Sequence, residues 1–204
     1  MASSTPELSG PLAYAIGAAA IALFSPWISP DAAARVPFIA GLLITLIATW
    51  YAIYFLAKNP HAQPVVFAFG GEAKPEDYAK AIADAGLLAL IACLGMALPS
   101  HETTPLSMQL CMTALLFCAS AMVRTHLLPA ILLLDLSLVL LTLSGAPSLA
   151  LILGIGIAYL VVKQTQVRRE HLALLVFGCS SVIALATWGD LWQWKLITLS
   201  EAST

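Results

Sequence analysis

The chain reads as an all-α, polytopic transmembrane helical bundle of about seven spans. Three observations predict this. Of its 204 residues, 60% are apolar. Only 10% are charged, against about 25% in an ordinary soluble domain. The charges gather in the gaps between seven long apolar runs, near 11–29, 36–57, 78–98, 105–123, 127–143, 147–163 and 171–194. A spanning helix needs roughly 20 apolar residues, so six or seven spans with short connections fill residues 1–204 as a single transmembrane domain. The net charge of −2 is too small to steer the chain toward nucleic acid.

Backbone groups in lipid must be satisfied internally, so each run is expected to be a helix. Residues 1–10 carry Glu7 and no Lys or Arg. A secretory leader would begin with a positive region, so this segment is expected to be a short tail. The first run is Ala-rich and holds Pro26 near its end, which makes it the weakest; without it the count falls to six. Ser29-Pro30-Asp31 separates the first pair, Asn59-Pro60 ends the second run, and Pro99-Ser100 ends the third.

The longest connection, 58–77, is polar apart from residues 65–71, which suit an interfacial segment. Pro75-Glu76-Asp77 looks like a helix start, with Pro in the first turn and acids that complement the dipole. Glu76–Lys80 and Lys80–Asp84 are i, i+4 pairs, so the third helix is expected to project a turn or two beyond the bilayer. Arg124-Thr125-His126 is very short for a complete reversal between the fourth and fifth runs. Ser144-Gly145-Ala146-Pro147 predicts a tight antiparallel hairpin between the fifth and sixth. No direct or inverted repeat is visible, which counts against a repeat-built transporter.

Orientation follows from the Lys and Arg bias. Lys58, Lys74, Lys80, Arg124, Lys163, Arg168 and Arg169 fall on one side, against Arg35 and Lys195 on the other. The cation-rich side is therefore expected in the cytoplasm, with the N-terminus inside and the C-terminus outside a cell inner (plasma) membrane.

Asp135 is the ionisable residue in the most expensive place. It lies about eight residues into the fifth run, roughly 12 Å deep at the rise of an α-helix. An ionised Asp near the bilayer centre costs about 2.5–3.5 kcal/mol on translocon scales. It should therefore face protein or water. One reading makes it a proton or cation site; the other makes it a carboxyl that locks helix packing. Thr142, seven residues on, extends the polar face. Arg124 and His126 flank the cytoplasmic end of the same helix, where they either border a path or snorkel to the headgroups. None of His61, His101, His126 and His171 lies deep in a span, which argues against a haem held between helices.

Gly154 and Ala158 make a small-xxx-small face suited to close helix approach, within the chain or with a partner. Cys93, Cys111, Cys118 and Cys179 all fall inside runs and form no Cys-x-x-Cys pair, so buried, inert thiols are expected. No phosphate-binding Gly loop, His-Glu-x-x-His or Gly-x-Ser-x-Gly motif is present, and no catalytic or metal site is expected.

Trp188, Trp192 and Trp194 cluster at the predicted outer interface, where an aromatic belt is the plain explanation. The segment 188–195 also resembles the W-G-x-x-W-x-W-D signature of the haem-handling proteins of cytochrome c biogenesis. Trp188, Gly189, Trp192 and Trp194 match, and Lys195 stands where that family has Asp. The resemblance implies an outer-face haem site flanked by a histidine pair, of which His101 alone is present on that side.

The expected function is that of a non-catalytic subunit of a larger inner-membrane complex in transport or energy conversion. Membrane lipids and other integral-membrane proteins are the expected partners, and no cofactor is expected. The alternative is a small stand-alone transporter or channel with Asp135 in its path. A haem-handling protein comes third.

Overall fold

Among the described residues of the computed structural model, five of seven α-helices begin on a proline, which lacks the N–H that a first turn leaves unpaired. The structure describes residues 11–64, 73–93, 103–164 and 169–192, and those residues contain no strand. The helices are α1 (Pro11–Phe24), α2 (Pro30–Ala57), α3 (Pro75–Ala92), α4 (Pro105–Met122), α5 (Leu127–Leu143), α6 (Pro147–Gln164) and α7 (Arg169–Trp188). A single 3-10 turn, Pro60–Ala62, follows α2.

The boundaries correct four expectations. Helix α1 has 14 residues, about 21 Å, and stops two residues before Pro26, so it falls short of a ~30 Å hydrocarbon core. Helix α2 starts six residues earlier than its apolar run. Ser29 caps it by accepting from Ala32 N at 3.4 Å, and the helix continues through Pro37 for 28 residues. The short junction before α5 does reverse the chain: Thr125 N and His126 N both donate to Met122 O at 2.9 Å. Helix α7 ends at Trp188, with Asp190 in the left-handed region (φ 49) and Leu191 N on Ala186 O at 3.0 Å.

Helix α5 ends as its Gly predicts. Gly145 takes φ 91, Gly145 N reaches Thr142 O at 3.0 Å, and Ala146 N reaches Leu141 O at 3.3 Å. That pair of bonds is a Schellman motif, which satisfies carbonyls the helix would otherwise leave open.

Side-chain pairings give the directions. Trp50 meets Asp84 and Lys58 meets Glu76, so α3 runs antiparallel to α2. Gly41 approaches Met108, and Ala48 and Ala52 cluster with Ala114 and Cys118, so α4 runs parallel to α2. Helix α5 reverses on α4, and Gln109 Nε2 donates to Ser144 O at 2.9 Å. Gly154 sits against Leu138, making α6 antiparallel to α5; Gly178 sits against Asp135, making α7 parallel to α5. Lys58, Arg124 and Lys163 therefore share one end of the bundle, and Asp31, Gly145 and Trp188 share the other.

Helices α2 and α5 are the two hubs. Helix α2 packs on α1, α3 and α4; α5 packs on α4, α6 and α7. Helix α3 packs chiefly on α2. The largest core joins Leu116 of α4, Ile131 and Leu138 of α5, Val161 of α6 and Val182 of α7. Three helices, α2, α4 and α7 from His171 onward, are long and apolar enough to cross a membrane; α1, α5 and α6 are shorter apolar helices.

Two further expectations are corrected. Cys93 is exposed at the C-cap of α3, while Cys111 and Cys118 are buried and Cys179 is half-buried. The described ion pair of α3 is not Glu76–Lys80 but Glu76 with Lys58, at 2.9 Å.

Candidate functional site

Asp135 stands in the middle of α5, on the face that meets α7. The approach is close because position 178 is a glycine: a Cβ there would fall on the Asp135 carboxyl, with Cγ 2.7 Å away. One turn further along α5, Leu138 fills the space beside Gly154 of α6; a Cβ on Gly154 would meet its Cδ atoms at 3.1 and 3.2 Å. Cys179 closes the same junction, its Sγ 3.6 Å from that Gly154 position. Two small residues on two helices thus allow close approach to α5, Gly178 of α7 at Asp135 and Gly154 of α6 one turn away at Leu138.

The carboxyl is half-buried, and its Oδ1 is buried with no hydrogen-bond partner. Neighbouring hydroxyls are turned inward to their own backbone. Thr142 is fully buried and donates to Leu138 O at 2.8 Å, and buried Ser137 donates to Leu133 O at 2.7 Å. The expected polar stripe from Asp135 to Thr142 is present in position, yet its hydroxyls are spent on helix carbonyls.

Arg124 and His126 are not brought to Asp135. Both are exposed at the α4–α5 turn, and nine residues of helix, about 13 Å, separate His126 from Asp135. The His126 ring instead packs edge-on against Phe55 of α2, centroids 6.3 Å apart.

Gly154 is buried as the small-residue reading expects, while half-buried Ala158 lines a surface groove between α6 and α7. That groove holds about 530 Å³, and Tyr159, Leu172, Val176 and Ile183 line it along with Cys179. Trp188 is 89% exposed and Trp192 is half-buried; Trp194, Lys195 and His101 lie outside the described residues. Among the described residues no group of three His, Cys, Asp or Glu is placed to hold a metal ion.

A second carboxylate, Asp84, entered the sequence reading only as part of an i, i+4 pair with Lys80. Asp84 is eight residues past Glu76 on α3, and Trp50 is eight residues before Lys58 on α2. Both lie about 12 Å from the level of the Lys58–Glu76 pair. Trp50 Nε1 donates to Asp84 Oδ1 at 2.8 Å, and Asp84 is exposed. Its place two turns past Glu76 was legible, but the i, i+4 relation to Lys80 gave no hint of the Trp50 indole.

Aromatic rings surround that level of α2. Trp50 stacks on Tyr54 at 5.5 Å, and Tyr54 meets Phe55 at 5.7 Å. Lys58 Nζ lies 3.4 Å from the Tyr54 hydroxyl. The hydrogen bond to Glu76 raises the Lys58 ammonium above its ordinary value, and the same bond lowers the Glu76 carboxyl.

No protein-family model, characterised protein or solved structure matches this chain.

Proposed function

We propose that the chain is a non-catalytic, multi-pass subunit of a larger inner-membrane complex concerned with transport or energy conversion. In this reading the bundle sits in the bilayer with α2, α4 and α7 among its spans, and the end bearing Lys58, Arg124 and Lys163 lies in the cytoplasm, following the positive-inside rule.

The observation that carries the reading is the isolation of Asp135. A self-contained proton or ion path needs a succession of ionisable or hydrated groups across the membrane. Against Asp135 the structure supplies Gly178, with Leu138, Gly154 and the Cys179 thiol meeting one turn along α5, and it ties Thr142 and Ser137 to backbone carbonyls. No described Lys, Arg or His lies more than five residues inside its helix. Asp135 then acts in helix packing, or borders a path that another subunit completes. A stand-alone transporter is the second reading, and the unpartnered Oδ1 is what favours it.

Purification from the native membrane in mild detergent, followed by native mass determination, tests the proposal. A fixed set of co-purifying membrane subunits is the expected result. A monodisperse homomer overturns it, and liposome flux with Asp135→Asn then decides whether Asp135 lies in a path of its own.

A further inference from the structure

The connection from α6 to α7 gathers cations at one end of an apolar groove. Residues 155–183 hold Lys163, Arg168 and Arg169 against a single acid, Glu170. The groove runs from Leu172 to Ile183 along α7, about 16 Å, and faces Ile155, Tyr159 and Val162 of α6. That length is about half of a ~30 Å hydrocarbon core. Its start also coincides with the start of a span. His171 opens the stretch of α7 that is long and apolar enough to cross a membrane, and Leu172 is the first α7 residue of the groove. With α7 across a bilayer, the cationic end falls at the headgroups and the groove occupies one leaflet.

Lys163 is held at this end. It follows Tyr159 by one turn of α6, and its Nζ lies 3.5 Å from the Tyr159 hydroxyl and 5.6 Å from the ring centroid. A neutral hydroxyl leaves the ammonium's charge and most of its three donors for an anion. His171 is i, i+4 to Leu175 of the groove, and it is half-buried with Nδ1 lacking a hydrogen-bond partner. Deeper in, the Ser180 hydroxyl is spent on Phe177 O at 2.9 Å, so a polar ligand would find little to bond.

We propose that the α6–α7 groove seats an anionic phospholipid, one acyl chain lying along Ile155, Val176 and Ile183 and the phosphate meeting Lys163. The proposal rests on the bundle's place in a bilayer and not on the subunit assignment. Charge complementarity selects the occupant. An apolar trough one leaflet long, with a cation at its headgroup end, is the complement of an amphiphile with a negative head. The volume, about 530 Å³, suits a single small ligand. A soluble anion would gain nothing from the trough, and an uncharged lipid would leave the ammonium unanswered.

The test places the full chain in phosphatidylcholine vesicles doped with a minor share of phosphatidylglycerol whose acyl chain carries a photoreactive diazirine. Peptide mass spectrometry locates the adducts. Labelling should concentrate on residues 155–162 and 172–183, above that of the exposed Leu43 and Ile47 of α2. The same diazirine on phosphatidylcholine should label the groove at least about fivefold less. Lys163→Gln should lower the phosphatidylglycerol signal by about fivefold, the effect of one cation near the headgroups. Ala158→Trp, which fills the trough, should lower the signal from both lipids. Lys163 is exposed, so its variant carries the test even where Ala158→Trp does not fold.

Even labelling of the groove and α2 overturns the proposal. Equal labelling by the two lipids does so too, as does a signal indifferent to Lys163→Gln. A protein adduct from the photocrosslinker benzoylphenylalanine at exposed Val176, in the native membrane, would assign the groove to a partner helix instead. Each of these results leaves the subunit reading intact, and a homomer by native mass leaves the lipid site intact. A chain that does not enter vesicles removes both.

Discussion

Asp84 lies nine residues past the start of α3 and Asp135 eight past the start of α5, in different parts of the bundle, and different forces hold them. Asp84 is anchored by a bond, the Trp50 indole at 2.8 Å, while the rest of its carboxyl stays open on an outer helix. Asp135 is anchored by space. Gly178 of α7 makes room for it, and its Oδ1 is left without a donor. A bond fixes direction and leaves a charge available to a partner, whereas a fitted cavity fixes position and hides the group. The pair therefore contrasts an exposed carboxyl held by a hydrogen bond with a half-buried one held by packing.

The largest effect should come from closing the space. In Gly178→Ala the new methyl falls on the Asp135 carboxyl, and overpacking of this kind typically costs about 1–3 kcal/mol. Thermal unfolding of the detergent-solubilised protein should show the loss. Most of it should disappear in an Asp135→Ala background, where the obstacle is gone, because residues in contact do not act additively. A neutral Gly178→Ala in the parent chain would break the packing half of the comparison.

Asp135→Ala on its own is expected to leave stability unchanged or raise it by up to about 1–2 kcal/mol, since a buried acceptor with no donor is a cost in the folded state. A loss larger than about 2 kcal/mol would mean that Oδ1 finds a donor in the folded protein. Trp50→Phe should behave in the opposite sense. It keeps a ring against Tyr54 but deletes the indole donor, and it should lower stability by about 0.5–1.5 kcal/mol. Combining it with Asp84→Ala in a double-mutant cycle isolates the bond; a coupling near zero would mean that Asp84 is held by something else.

The same contrast explains what the sequence made legible. Local signals placed the helices well. Pro11, Pro30, Pro75, Pro105 and Pro147 each open one, and Gly145 closes α5 in the conformation its residue type suits. Where apolarity alone set a boundary the reading ran long, as in the first run, whose hydrophobic residues continue past Phe24 although the helix stops ahead of Pro26. Asp135 was visible because a lone acid in an apolar run is conspicuous. Gly178 was not, because a glycine gains meaning only from the register of α7 against α5, set by residues 43 positions apart. Asp84 was masked by the nearby Lys80, while its real partner lies 34 positions away.

The smallest effect belongs to the surface pair that joins the same two helices as Trp50 and Asp84. Glu76 is lowered by its hydrogen bond to Lys58, so its contribution is present above the ordinary 4.5 and fades as pH falls through the lower folded value. Lys58 is raised, chiefly by the same bond, so its share is present below the ordinary 10.5 and fades as pH rises through the higher folded value. The α2–α3 link should thus be indifferent to pH between about 6 and 9 and should loosen in acid, modestly, because the pair is exposed and screened by salt. Spin labels at His61 and Ala73, both exposed, report the separation of the two helix ends. Their distance distribution should broaden below about pH 4, and Glu76→Gln should reproduce that broadening at neutral pH. Broadening between pH 6 and 9 would assign the link to a different titrating group. A distribution that Glu76→Gln leaves unchanged would mean that the Lys58–Glu76 pair does not set the α2–α3 separation at this end.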